Sequence, residues 1–169
     1  MLVQSEPYHL KGDSGILSGR ELGERLLDRL TLHLIDTEPD SATPLDFSEI
    51  QFVDISAADE FLCKQLMRIA SGELGTRSVF IQGANESIRE TFEVVLKLRD
   101  LAALCLEGEE RLILGVLKTP MREALEVILA ARHGTSAELA QRLEKNINIA
   151  CNRLNALQKM GLVCRTRDG

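Results

Sequence analysis

The 169-residue sequence predicts an α/β fold in which a small sheet covered by helices spans residues 1–116 and an all-α segment spans residues 117–169. Three observations lead there. Amphipathic helical stripes alternate with short apolar runs through the first two thirds, the order expected of a layered α/β unit. From Pro120 the pattern changes to three consecutive helical segments and an extended tail. Charge divides at the same place: residues 1–115 carry 11 basic and 21 acidic side chains, a net of −10, and residues 116–169 carry 9 and 5, a net of +4.

Taken in order, Tyr8 to Leu10 is a candidate strand, and the glycine-bearing stretch Gly12 to Gly23 reads as a flexible turn. Its spacing does not match the GxxxxGK[ST] of a phosphate-cradling loop. Leu22, Leu26, Leu30 and Leu34 recur every fourth residue, a helix for which Ser18 and Glu21 supply a capping box. TEPDSATP, residues 37–44, is expected to break regular structure before a short extended stretch through Leu45-Asp46-Phe47 and Gln51-Phe52-Val53. Ser56 then begins a helix that buries Leu62, Leu66 and Ile69 and stops at Gly72 and Gly75. Ser78 to Gln82 is a strand, and Ile88, Phe92, Val95 and Leu96 mark the next helix. Leu112 to Val116 is a further strand that closes the first unit.

In the C-terminal segment Pro120 suits a first helical turn, and Met121, Leu125, Ile128 and Leu129 form the apolar stripe. Thr135 or Ser136 caps a short helix with Leu139, Ala140 and Leu143 inward. Asn146 caps a longer one that buries Ile147, Ala150, Leu154 and Leu157 and ends at Gly161. Leu162 to Arg167 alternates apolar and basic residues, as one strand of an exposed hairpin does.

Hydrophobic residues make up 44% of the chain and charged ones 27%, which suits a packed globular protein and excludes a disordered or collagen-like one. No apolar run reaches the ~18 to 20 residues a membrane helix needs, and the start has no signal-peptide pattern, so a cytoplasmic protein without membrane contact is expected. Cys63, Cys105, Cys151 and Cys164 have no CxxC spacing and are read as reduced thiols. No metal site, cofactor or catalytic set is expected: His9, His33 and His133 are scattered, and Asp46 and Asp54 read as strand-end caps, not a paired acid and base.

Ser136-Ala-Glu-Leu-Ala-Gln-Arg-Leu, followed by Asn146 to Leu157 and Met160-Gly-Leu-Val, resembles the winged helix-turn-helix domains of many prokaryotic transcription regulators. Leu45-Asp46-Phe47-Ser48-Glu49-Ile50 and Phe52 to Phe61 are similar to STAS-like domains, the family of the anti-sigma-factor antagonists. That second resemblance covers roughly residues 15–105. It implies a serine-bearing turn at a helix N-terminus, and in the antagonists the serine directly after the aspartate accepts phosphate. Here Ile55 holds that position. Ser56 is the possible regulatory serine, although Ser56 with Asp59 also matches the capping pattern S-x-x-[DE], which needs no switch.

Together these readings describe a DNA-binding transcription regulator, not an enzyme. The first unit senses a ligand or binds a protein, and the second binds double-stranded DNA as a homodimer. In a winged helix the third helix enters the major groove, so its outward residues Asn148, Asn152, Asn155 and Lys159, with Arg153 beside them, are the candidate base and backbone contacts. Arg165 and Arg167 on the tail are candidate phosphate contacts. The alternative is a protein-interaction module in a partner-switching assembly that binds no nucleic acid.

Overall fold

The computed structural model describes residues 3–166 and shows an α/β protein built on a mixed sheet. Strands β1 (Val3–Gln4) and β2 (Tyr8–His9) both pair in parallel with β4. A 3-10 turn at Asp13–Gly15 leads into β3 (Ile16–Leu17), so the region expected to be a turn holds a short strand as well. Helix α1 (Arg20–Ile35) follows, then β4 (Ser41–Asp46) and β5 (Phe52–Val53), which pairs with β3 in a separate two-stranded sheet.

One continuous helical stretch comes next: α2 (Ile55–Ala58), a π-helical turn at Asp59–Cys63, and α3 (Lys64–Ser71). β6 (Ser78–Gln82), α4 (Glu86–Leu98), β7 (Ala102–Glu107) and β8 (Glu110–Gly115) complete the sheet. Its order is β1/β2, β4, β6, β7, β8, parallel throughout except for β8, which forms an antiparallel hairpin with β7. Three further helices end the described chain: α5 (Thr119–Ala131), α6 (Ser136–Leu143) and α7 (Ile147–Lys159).

The central strands are buried on both faces, as parallel strands between helical layers require. One face, with Leu45, Val79, Ile81, Ala103 and Cys105, packs against α1 to α4 around Phe47, Phe61 and Phe92. The other, with Ala42, Phe80, Ala102 and Leu104, packs against Leu125, Leu139, Ala150, Leu157 and Leu162. The C-terminal helices thus share their core with the back of the sheet. Three layers result, and β8 leads directly into the third.

Three local expectations are corrected. Residues 41–44 belong to β4 and do not break it, even though Pro44 lies inside an interior strand. The backbone carbonyls of Ala42 and Asp46 accept from Ser5 and Leu10, so even-numbered positions of β4 turn their polar groups toward the N-terminal strands. Pro44 shares that direction and faces the gap between β1 and β2, where its missing N–H breaks no rung to β6. Ser18 does not cap α1; the cap position is Gly19, and the Ser18 hydroxyl donates to Asp54 Oδ2 at 2.6 Å. No strand follows α7 as far as Thr166, so the expected hairpin strand is missing from the described part of the tail, and Arg167 lies outside the described residues.

Candidate nucleic-acid interface

The pair α6 and α7 is defined by its caps. Thr135 accepts from the Glu138 amide, and the Glu138 carboxylate accepts from the Thr135 amide at 2.7 Å, a reciprocal box that fixes the start of α6. Glu144 ends the helix in a left-handed conformation, φ 54°, and the Lys145 amide closes on the Ala140 carbonyl. Asn146 then caps α7 by accepting from the Ile149 amide at 3.0 Å. Only three residues separate the helices, and the small Ala140 of α6 and Ala150 of α7 are both buried in the second core.

Leu157 and Ala150 of α7 are fully buried, with Leu154 half-buried beside them. Asn148, Asn152, Asn155 and Lys159 are all exposed and follow each other at spacings of four, three and four, which puts them on the side opposite that stripe. Ile147 is corrected: it falls on the same side as Leu154 but, in the first turn of α7, is 51% exposed and does not join the core. Between Ser136 and Thr166 the chain carries five basic residues, Arg142, Lys145, Arg153, Lys159 and Arg165, against two acidic ones, Glu138 and Glu144.

Arg153 does not belong to the outward set. Its side chain is only 13% exposed, lies 3.7 Å from Glu123 Oε2 on α5, and leaves one guanidinium nitrogen buried without a hydrogen bond. It therefore sits between α7 and α5, turned toward Glu123 and away from the outward side of α7. Arg165 is exposed and leaves an irregular segment, not a strand.

The tail is tied to the sheet layer. At Gly161, φ 75°, a Cβ would lie 2.8 Å from Ile69 of α3, so only glycine permits both the backbone turn and the contact. Leu162 is buried in the second core, and the Cys164 thiol lies 3.0 Å from the Ser78 hydroxyl at the start of β6. Burial raises the pKa of that thiol despite the Ser78 hydrogen bond. The C-terminal end of α7 is held against α3 and β6.

Ser56 is placed differently from the expected cap. Asp54 caps α2, accepting from the Ala57 amide at 2.8 Å, from the Gly19 amide at 3.0 Å and from the Ser18 hydroxyl. Partial burial pushes the Asp54 pKa upward, and the bonds from Ser18, Ala57, Gly19 and Ser56 outweigh it, so the net shift is downward. Asp59 turns away from Ser56 and receives both arms of Arg99 at 2.8 Å. Half-exposed Ser56 stands in a first turn that already holds a carboxylate, and a phosphate added there meets like charge.

No family model, curated protein or solved structure matches this chain. No helix among the described residues is long and apolar enough to cross a membrane.

Proposed function

We propose that the protein is a DNA-binding transcription regulator in which α5 to α7 act as a helix-turn-helix unit of the winged-helix kind and the sheet with α1 to α4 acts as a STAS-like sensing or protein-interaction unit. One observation carries the reading: Asn148, Asn152, Asn155 and Lys159 stand exposed along one side of a helix whose opposite side is locked into the second core. A helix offered this way fits the major groove, and asparagine presents the paired donor and acceptor that match adenine. Lys159 adds a phosphate contact at the helix end.

The test is the salt dependence of binding to a mixed-sequence duplex, followed by fluorescence anisotropy. Binding should weaken steeply as salt rises, and Lys159→Ala should lower affinity and reduce the salt slope by about 1. No binding at low salt would reject the reading. A second reading, protein interaction without nucleic acid, is favoured by the lack of paired strands after α7 among the described residues and by the net charge of −10 over residues 1–115. It predicts no duplex binding at any salt concentration.

A further inference from the structure

At the opposite end of the chain, β2 and β4 bring together two residues that lie 37 positions apart. His9 stands in register with Asp46, and the Leu10 amide donates to the Asp46 carbonyl at 2.9 Å. The imidazole Nδ1 is 2.7 Å from Asp46 Oδ2. The two side chains differ sharply in access: Asp46 is 12% exposed and His9 is 58% exposed. The carboxylate is held from behind. The Ser48 amide donates to Oδ1 at 3.0 Å, and Gly83, φ 68°, passes so close that a Cβ there would lie 2.8 Å from Oδ1.

An ionised carboxylate only accepts hydrogen bonds, so the bond to Asp46 requires the Nδ1 proton. Burial pushes the Asp46 pKa up, but the Ser48 amide, the Ser48 hydroxyl and His9 outweigh it, so the carboxylate ionises below its ordinary range. In the neutral ring the lone pair is then on Nε2, on the side of the ring away from Asp46. This is an oriented imidazole with a carboxylate behind it and its nucleophilic nitrogen turned outward, the pairing that activates histidine in acyl and phosphoryl chemistry.

We propose that His9 is a phosphoryl-acceptor site, modified at Nε2 by a donor of the phosphoramidate or acyl-phosphate class, with Asp46 as its positioning residue. With phosphoramidate, the Nε2–P bond forms as the P–N bond breaks, and ammonia leaves to be protonated by water. Nδ1 keeps its proton, so the ring becomes an imidazolium whose positive charge faces the Asp46 carboxylate. The site is independent of the DNA reading, because it lies on the N-terminal strands and not on α7.

The experiment treats the full chain with potassium phosphoramidate and follows ³¹P NMR and peptide mapping. One acid-labile phosphoryl group is expected on His9, at Nε2 only, and none in His9→Gln. His133, exposed after α5 and without a ring hydrogen bond among the described residues, is the internal reference and should label more slowly. Asp46→Asn should slow His9 labelling about tenfold, the scale of losing a carboxylate that orients an imidazole. Labelling of His133 as fast as His9, an Nδ1 product on His9, or an unchanged rate in a folded Asp46→Asn protein would each overturn the proposal. The position of the phosphoryl group in the unmodified sequence decides the matter even if that variant does not fold.

Discussion

On one face of the sheet Phe47, Phe61 and Phe92 are buried with Leu30, Leu34, Leu62 and Leu96, and hardly any apolar side chain of that core reaches water. On the other face the sheet contributes mainly Ala42, Ala102, Phe80 and Leu104, and Met121, Val127, Ile128, Leu143 and Leu154 of the covering helices stay half-exposed. The first layer has large interlocking side chains and two buried carboxylates, Asp59 and Glu60, paired with partly exposed Arg20, Lys64 and Arg99. The second is a thinner seam closed by small residues and by the tail at Leu162. Free energy gained by burial scales with apolar area removed from water, so the two layers are expected to open at different free energies.

The comparison is sharpest at its largest side chain. Phe92→Ala removes the ring that packs edge-on against Phe47, centroids 5.1 Å apart, and should cost about 3 to 5 kcal/mol. The whole protein should then melt earlier, measured by thermal unfolding. Leu157→Ala should cost about 2 to 4 kcal/mol, and its effect should be local. Hydrogen exchange would rise in α5 to α7 while β4, β6 and α4 stay protected. Equal acceleration in both layers would show that they unfold as one unit and would break the distinction.

Acid should act mainly on the first layer. Asp59 has its pKa lowered chiefly by the Arg99 hydrogen bonds and then by Arg20, and Glu60 by Lys64 and then by Arg20. Because the folded pKa values lie below the unfolded ones, the stability these groups confer is fully present above about pH 4 to 5 and is lost as the pH falls through the folded values. The melting temperature should therefore be nearly level from neutral pH to about pH 5 and drop below about pH 4. The drop should be smaller in Arg99→Gln, which loses the main partner of Asp59 and leaves the pairing of Glu60 in place.

The smallest effect is expected at the α5–α7 contact. Arg153→Met replaces a poorly satisfied buried cation with an apolar chain of similar length, a change often close to neutral, so stability should shift by less than about 1 kcal/mol. Glu123→Ala, which leaves that cation alone, should destabilise more. The reverse order would mean that Arg153 faces outward in solution.

Much of this architecture was legible in the residues. The stripe of α4 at Ile88, Phe92, Val95 and Leu96 and the caps at Asn146 and Thr135 are local signals, and the elements lie where those signals put them. Pro44 misled because proline inside an interior strand is tolerated only where its missing donor faces a gap, and that gap depends on a break between β1 and β2. Ser56 looked like a cap because S-x-x-[DE] fits it as well as D-x-x-A fits Asp54, and the two candidates stand only two residues apart; only the folded chain shows Asp59 turned to Arg99, leaving the capping bond to Asp54 and Ala57. For the candidate interface, the spacing of Asn148, Asn152, Asn155 and Lys159 was readable from helical periodicity. The inward turn of Arg153 was not, since it depends on Glu123 of another helix. The pairing of His9 with Asp46 is likewise a property of strand register, invisible to any local pattern.

The DNA contact we propose lies on the outward side of α7. Its most direct test is titration of the isotope-labelled chain with a short mixed duplex, following the side-chain amide resonances of Asn148, Asn152 and Asn155 by NMR. With DNA bound there, these three should shift first and together, ahead of any resonance from α1 to α4. Shifts confined to the α1 to α4 layer, or none at low salt, would contradict it.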